Sequence, residues 1–184
     1  TMSLKSGALT FGTPEANLVT LALGQLGRRL GVPVRAGGGQ ITAANAADGQ
    51  AMQDSADALW SALLAGSNQV WHAAGWLEGG LTMGYEKFVM DLDHCGMMMR
   101  LMGGLRVDEE TLSRESYEEA EPGGNFLSTT HTMRHFSTAN FEPAIAEAGP
   151  FERWTEAGEA DLERRASPVW QGMLEAYEPP PVDA

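Results

Sequence analysis

The feature that most constrains this chain is a rhythm: a long helical period, a short apolar run, a glycine-rich stretch, then another helical period. Thr13, Pro14 and Glu15 open the first period. Thr suits an N-cap, Pro the first helical position and Glu the positive end of the helix dipole. Leu18, Ala22, Leu26 and Leu30 follow at i+4 spacing and predict an apolar stripe. Gly31 supplies a left-handed stop, and Pro33 lies just beyond it. Val32–Ala36 then reads as a strand, ended by Gly37-Gly38-Gly39.

The pattern repeats. Met52, Ala56, Leu59, Trp60 and Leu63 predict a helix over residues 47–64, closed by Gly66, and Gln69–Ala73 reads as a second strand. A third helix is expected over residues 85–102, with Phe88, Leu92, Cys95, Met99 and Met102 on one side. Strands alternating with helices point to an α/β fold, because parallel strands need crossover connections. An open doubly wound sheet and a closed barrel both fit. A (β/α)8 barrel takes roughly 250 residues, so a chain of 184 would hold only part of one. After Leu105 the strand rhythm fades, and helices are expected over 109–119 and 159–176. Residues 1–105 are thus expected to supply βα units, and residues 106–184 a mostly helical extension.

Charge narrows the partners. Lys and Arg total 12 against 25 Asp and Glu, a formal net charge of -13. Such a surface repels phosphate backbones, and Arg28-Arg29 and Arg164-Arg165 are isolated pairs, so no nucleic-acid partner is expected. No apolar run is long enough for a membrane span, and no signal-peptide pattern opens the chain. Cys95 is the single cysteine, so there is no internal disulfide framework. These features together read as cytoplasmic. The abrupt start at Thr1-Met2-Ser3 and the close on Glu178-Pro179-Pro180-Pro181 read as cuts within a longer protein. Exposed strand edges would then favour association, including homo-oligomer formation.

Chemistry in parallel α/β folds sits where strands end and loops begin. Two loops qualify here, residues 37–45 and 73–81. The triple glycine lacks the spacing of a dinucleotide fingerprint and the lysine of a P-loop. Gln40 is the polar residue that follows it. In the second loop Trp76 and Glu78 pair an aromatic face, which attracts cations, with a carboxylate that adds charge complementarity. His72 and Tyr85 are close enough in sequence to complete a cage, although His72 also fits a structural role. Trp71 reads as core packing. The candidate substrate-binding set is Gln40, His72, Trp76, Glu78 and Tyr85. No catalytic residue stands out.

His131 and His135 would share a helix face, a spacing that can hold zinc, but the glutamate of the HExxH motif is absent. A metal hydrolase is therefore a minor reading, and no metal site is expected. Asp91 and Asp93 lack a third ligand at metal-site spacing. Met97, Met98 and Met99 read as adaptable core filler.

Several stretches resemble the trimethylamine methyltransferase superfamily, which includes glycine betaine methyltransferases. They are Phe11-Gly12-Thr13-Pro14-Glu15, Arg35 to Gln50, Ala73 to Thr82 continuing through Tyr85-Glu86-Lys87-Phe88 to Asp91, Pro122 to Leu127, His131-Thr132, and Tyr177 to Pro181. Their order spans nearly the whole chain. The resemblance implies the C-terminal portion of a (β/α)8 TIM barrel with additional C-terminal helices. It also implies transfer of a methyl group from a small methylated amine to Co(I) of a separate corrinoid protein. The cobalamin cofactor would be carried by that partner and not bound directly. Two departures stand out: Thr42-Ala43-Ala44-Asn45 where the family often has Thr-Asp-Ser-Lys, and Asn125 where it often has His. Trimethylamine-specific members carry pyrrolysine, whereas every residue here is standard. The resemblance therefore favours a quaternary amine such as a betaine as substrate. The alternative from another class is a non-catalytic protein that binds quaternary ammonium compounds.

Overall fold

The computed structural model describes residues 1–37 and 39–181. Helix α1 spans Pro14–Leu30, strand β1 Arg35–Ala36, helix α2 Gly49–Leu64 and strand β2 Gln69–Val70. A short hairpin follows, with β3 at Trp76–Leu77 and β4 at Thr82–Met83 around a 3-10 turn at Glu78–Gly80. Helix α3 runs over Tyr85–Met102. Beyond it come α4 (Glu109–Leu112), α5 (Arg114–Glu119), α6 (Thr130–His135), α7 (Phe151–Glu156) and α8 (Leu162–Glu175). The architecture is mixed but helix-rich, as an α/β chain with little strand.

The chain divides into two compact units. One comprises residues 1–95 and 145–184, the other residues 96–144.

In the first unit, β1 and β2 pair in parallel, Arg35 opposite Gln69 and Ala36 opposite Val70, with α2 as the crossover. The expected strands were longer, 32–36 and 69–73. The ladder narrows because the pairing becomes irregular at both ends. Val34 and Asn68 exchange bonds before it, and Trp71 N–H donates to Ala36 O after it. Gly31 ends α1 in the left-handed region (φ 67°), as its sequence position predicts. Thr13 does not cap by its side chain; its hydroxyl donates to the Thr10 carbonyl instead, at 3.0 Å.

The three long helices correct the expected core faces. In α1 the stripe of Leu18, Leu26 and Leu30 is exposed, and the buried positions are Gly24 and Gly27. A Cβ at Gly24 would collide with the Ala65 backbone, and one at Gly27 with the Val34 side chain. In α2 the buried face is Ala51, Ser55, Ala58, Leu59, Ser61 and Ala62, while Trp60 lies at the surface. In α3, Leu92, Met99 and Met102 are exposed, and Lys87, Val89, Met90, Asp91 and Asp93 are inside. Small side chains let helices approach the strands and loops closely, so bulk moves outward. Hydrophobic clusters are correspondingly modest: Val89, Met90, Ile145 and Ala166 form one, and Ala44, Ala51 and Leu77 another.

The helical tail in this unit is set by local signals. Asp161 caps α8, its carboxylate accepting from Arg164 N–H at 2.9 Å. Arg165 Nε donates to Ile145 O at 2.7 Å, and Trp170 and Ser167 donate to Glu86 at 2.7 and 3.1 Å. In the second unit the helix expected over 109–119 is two helices, broken at Ser113, which adopts a left-handed conformation (φ 50°).

Candidate functional site

The two loops singled out by their glycines follow the C-terminal ends of β1 and β2, and their backbones are zipped together. Gly39 N–H donates to Trp71 O (2.9 Å), Gln40 N–H to His72 O (3.1 Å), Glu78 N–H to Ala44 O (2.9 Å) and Gly79 N–H to Thr42 O (2.8 Å). Gly75 (φ 86°) is enclosed, and a Cβ there would press on Met83 and Phe88, so no side chain fits between the loop and α3.

Beneath this lattice lies a polar cluster that sequence reasoning missed. Lys87 and Asp91, one turn apart on α3, form an ion pair at 2.5 Å with both side chains fully buried. The Lys87 ammonium also donates to Ser55 Oγ (2.8 Å) and Gln40 O (3.4 Å), which uses all three of its donors. Asp91 Oδ2 also accepts from Gly75 N–H at 2.8 Å, while its Oδ1 is enclosed with no partner. One ion pair therefore joins α3 to α2 and to both loops. Burial pushes the Lys87 ammonium below its ordinary range and the Asp91 carboxyl above its own, and their mutual attraction opposes both shifts. The available signal was an i, i+4 Lys–Asp pair in a helix whose neighbouring positions are largely apolar. The expected inward face, built on Leu92 and Met99, hid it.

Gln40 sits in the same cluster, fully buried. Its amide nitrogen lies 2.5 Å from Ala73 O and 2.9 Å from Cys95 Sγ, and its amide oxygen 2.8 Å from His94 Nδ1. Burial raises the Cys95 thiol above its ordinary value and lowers the His94 imidazole below its own. Thr42 is equally buried, its hydroxyl donating to Asp54 Oδ2 at 2.6 Å. Of the stretch that departs from the resembled family, Ala44 is buried against Ala51 and Leu77, and Asn45 is exposed.

The remaining candidates lie nearer the surface. His72, in a left-handed conformation (φ 55°), meets Trp76 edge to face with ring centroids 5.3 Å apart. Its Nδ1 is enclosed without a partner. Trp71 is half exposed rather than core, and the Arg35 guanidinium lies 4.5 Å from its ring centre. Glu78 is exposed, and its carboxylate accepts from the Thr82 hydroxyl at 3.2 Å. Tyr85 stacks on Trp170, with centroids 4.8 Å apart and planes 18° from parallel. It borders an apolar cavity of about 500 Å³ lined by Met83, Phe88, Trp170, Met173 and Leu174. The structure thus brings His72 and Trp76 together, with Glu78 two residues on in the same hairpin. It places Gln40 under them and Tyr85 in a separate apolar cavity. A second cavity, between α1 and the end of β1, touches none of the five.

These features define a mixed, helix-rich chain in which His72 and Trp76 meet at the loops that follow two parallel strands, over a buried Lys87–Asp91 ion pair. Comparison with known proteins supplies the class. The family model for trimethylamine methyltransferase (MTTB) matches residues 1–184, and the chain belongs to that family. It is 36% identical over 180 residues to a glycine betaine methyltransferase of Desulfitobacterium hafniense (strain Y51), covering 98% of this chain. It is 33% identical over 184 residues, all of this chain, to trimethylamine methyltransferase MttB2 of Methanosarcina mazei. The chain spans 37% of the length of each of these relatives. No helix among the described residues is long and apolar enough to cross a membrane.

Proposed function

We propose that the protein containing this chain moves a methyl group from a quaternary amine, such as a betaine, to the cobalt of a corrinoid carried by a partner protein. The observation that carries the reading is the meeting of His72, just past the end of β2, with Trp76 at the start of a hairpin that also bears Glu78. A quaternary ammonium has no hydrogen-bond donor, so an aromatic face and a nearby carboxylate are what can hold it. Both relatives are methyltransferases by name, and the glycine betaine enzyme matches at 36% against 33% for the trimethylamine enzyme.

On this reading Trp76, His72 and Glu78 contact the amine, and Tyr85, which lines a separate apolar cavity with Trp170, stands outside that contact set. Gln40 acts from below by holding the Ala73 carbonyl where the second loop begins. The bound corrinoid supplies a nucleophile. When the carbon–nitrogen bond breaks, nitrogen keeps the electron pair and leaves as a neutral tertiary amine. No general acid is needed, so the chain's task is to position and electrostatically hold the cation. The same proposal takes β1 and β2 as neighbouring strands of a (β/α)8 barrel, residues 1–105 as its βα units and residues 106–184 as a helical extension. It sets the reaction in the cytoplasm.

The test mixes the full-length protein, a reduced corrinoid protein and a panel of methylated amines. Cobalt oxidation state is followed by absorbance and the demethylated amine by mass spectrometry. Turnover with a quaternary amine is expected. Binding without turnover, using a corrinoid partner proven competent with another methyltransferase, would replace the enzyme with a quaternary-ammonium-binding protein.

A further inference from the structure

The unit formed by residues 96–144 is built unlike the other. Among the described residues, Met98 is its only buried hydrophobic side chain. Its helices are short, and α4 and α6 have four and six residues. Isolated helices of that length do not hold themselves together. What joins these two is polar. His135 Nε2 lies 2.5 Å from Glu110 Oε1, and His131 Nε2 lies 2.8 Å from the Glu110 backbone carbonyl. The two imidazoles share one face of α6, with ring centroids 4.5 Å apart. One ligand atom from each of the three side chains lies within 4.8 Å of the others.

We propose that Glu110, His131 and His135 form a binding site for a divalent ion of the zinc class, which clips α4 to α6. Two imidazole nitrogens and one carboxylate oxygen are a ligand set of borderline character that suits zinc better than calcium or magnesium, which prefer all-oxygen shells. The glutamate comes from a segment 21 residues before His131. A motif search confined to the His131–His135 stretch therefore does not see it. All three residues are partly exposed, so an ion can enter and water can complete its shell. Arg134 also contacts Glu110, at 2.6 Å, but it has a second carboxylate partner in Glu115 at 3.3 Å. It can therefore yield Glu110 to the ion without losing its own charge partner. A small unit with almost no apolar core is where a metal crosslink contributes most, because ion binding becomes folding free energy. The proposal is one of binding and stabilisation, not of a reaction.

The test uses the whole chain, stripped with a chelator and dialysed. Zinc is added alone, followed by calorimetry and metal analysis. About one equivalent per chain is expected, with a raised thermal midpoint. Glu110→Gln and His135→Ala should each weaken zinc binding by at least roughly tenfold, the loss that removing even a supporting partner of a ligand brings. If a variant does not fold, the wild-type chain still decides the matter by NMR. Of its four histidines, His131 and His135 should shift on zinc addition while His72 and His94 stay in place. Absence of stoichiometric binding would overturn the proposal. So would equal affinity in folded variants, or ring signals of His131 and His135 that do not move.

Discussion

Two polar clusters join segments in this chain, and they are opposites in environment. Lys87 and Asp91 are paired with no exposure at all, under the candidate site. Glu110, Arg134 and His135 are paired at the surface of the other unit, with side-chain exposures of 38%, 47% and 34%. The chemistry is similar, but the energetics are not. A buried pair costs desolvation on both charges, offset here by their mutual attraction and by the bonds to Ser55, Gln40 and Gly75, and removing one partner strands the other charge. A surface pair is screened by water and salt and contributes little by itself. The buried cluster is therefore the place where one substitution does most damage. The exposed cluster matters chiefly through what it can bind.

The largest expected effect breaks the buried pair. Lys87→Met leaves Asp91 enclosed without its cation and should cost about 3–5 kcal/mol, read from urea unfolding. The double variant Lys87→Met with Asp91→Leu should recover a large part of that loss. Equal damage in single and double variants would mean that the side chains' shape, and not their charge, holds α3 to the loops.

Close packing is the next test of the same unit. Gly24→Ala forces a Cβ into the Ala65 backbone and should destabilise by about 1–3 kcal/mol. No loss would show that α1 can retreat from α2 freely.

Trp76→Ala, made in the full-length protein, should weaken quaternary-amine binding by about 1–2 kcal/mol in calorimetry. Unchanged affinity with circular dichroism intact would remove Trp76 from the proposed cage and leave the ion pair supporting something else.

A smaller effect concerns pH. Burial holds the His94 imidazole below its ordinary value of 6.5, and the Lys87 cation adds to this. The folded state then binds fewer protons than the unfolded chain, so this contribution is complete above pH 6.5 and is lost as pH falls below it. Between about pH 7.5 and about pH 5.5, wild type should lose more stability than His94→Gln. Asp91 works in the other direction, its raised value favouring the folded state in acid. The variant comparison isolates His94 from it.

The smallest effect marks the other end of the comparison. In metal-free protein at physiological salt, Glu110→Gln should leave the unfolding midpoint unchanged. A clear loss there would mean the exposed cluster is already a structural clamp without any ion.

Local signals were legible in the sequence. Gly31 stops α1, Asp161 caps α8, and the glycine-rich loops do follow the ends of two parallel strands. Each depends on a few neighbouring residues and on backbone geometry that no distant contact overrides. The family resemblance was legible too, because it rests on the order of short motifs along the chain.

The face each helix turns inward was decided by tertiary structure. Leu18, Leu26 and Leu30 have the spacing of a core stripe, yet Gly24 and Gly27 take the inside because only they admit the Ala65 backbone and Val34. Periodicity says that a helix has two faces and cannot say which face a neighbour will reach. The same limit hid Lys87 and Asp91, whose value depends on Ser55 and Gln40, 32 and 47 residues away from Lys87 in the chain. It hid the Glu110 contact to His131 as well. Such pairings have no local signature, because folding alone brings those atoms within hydrogen-bond reach.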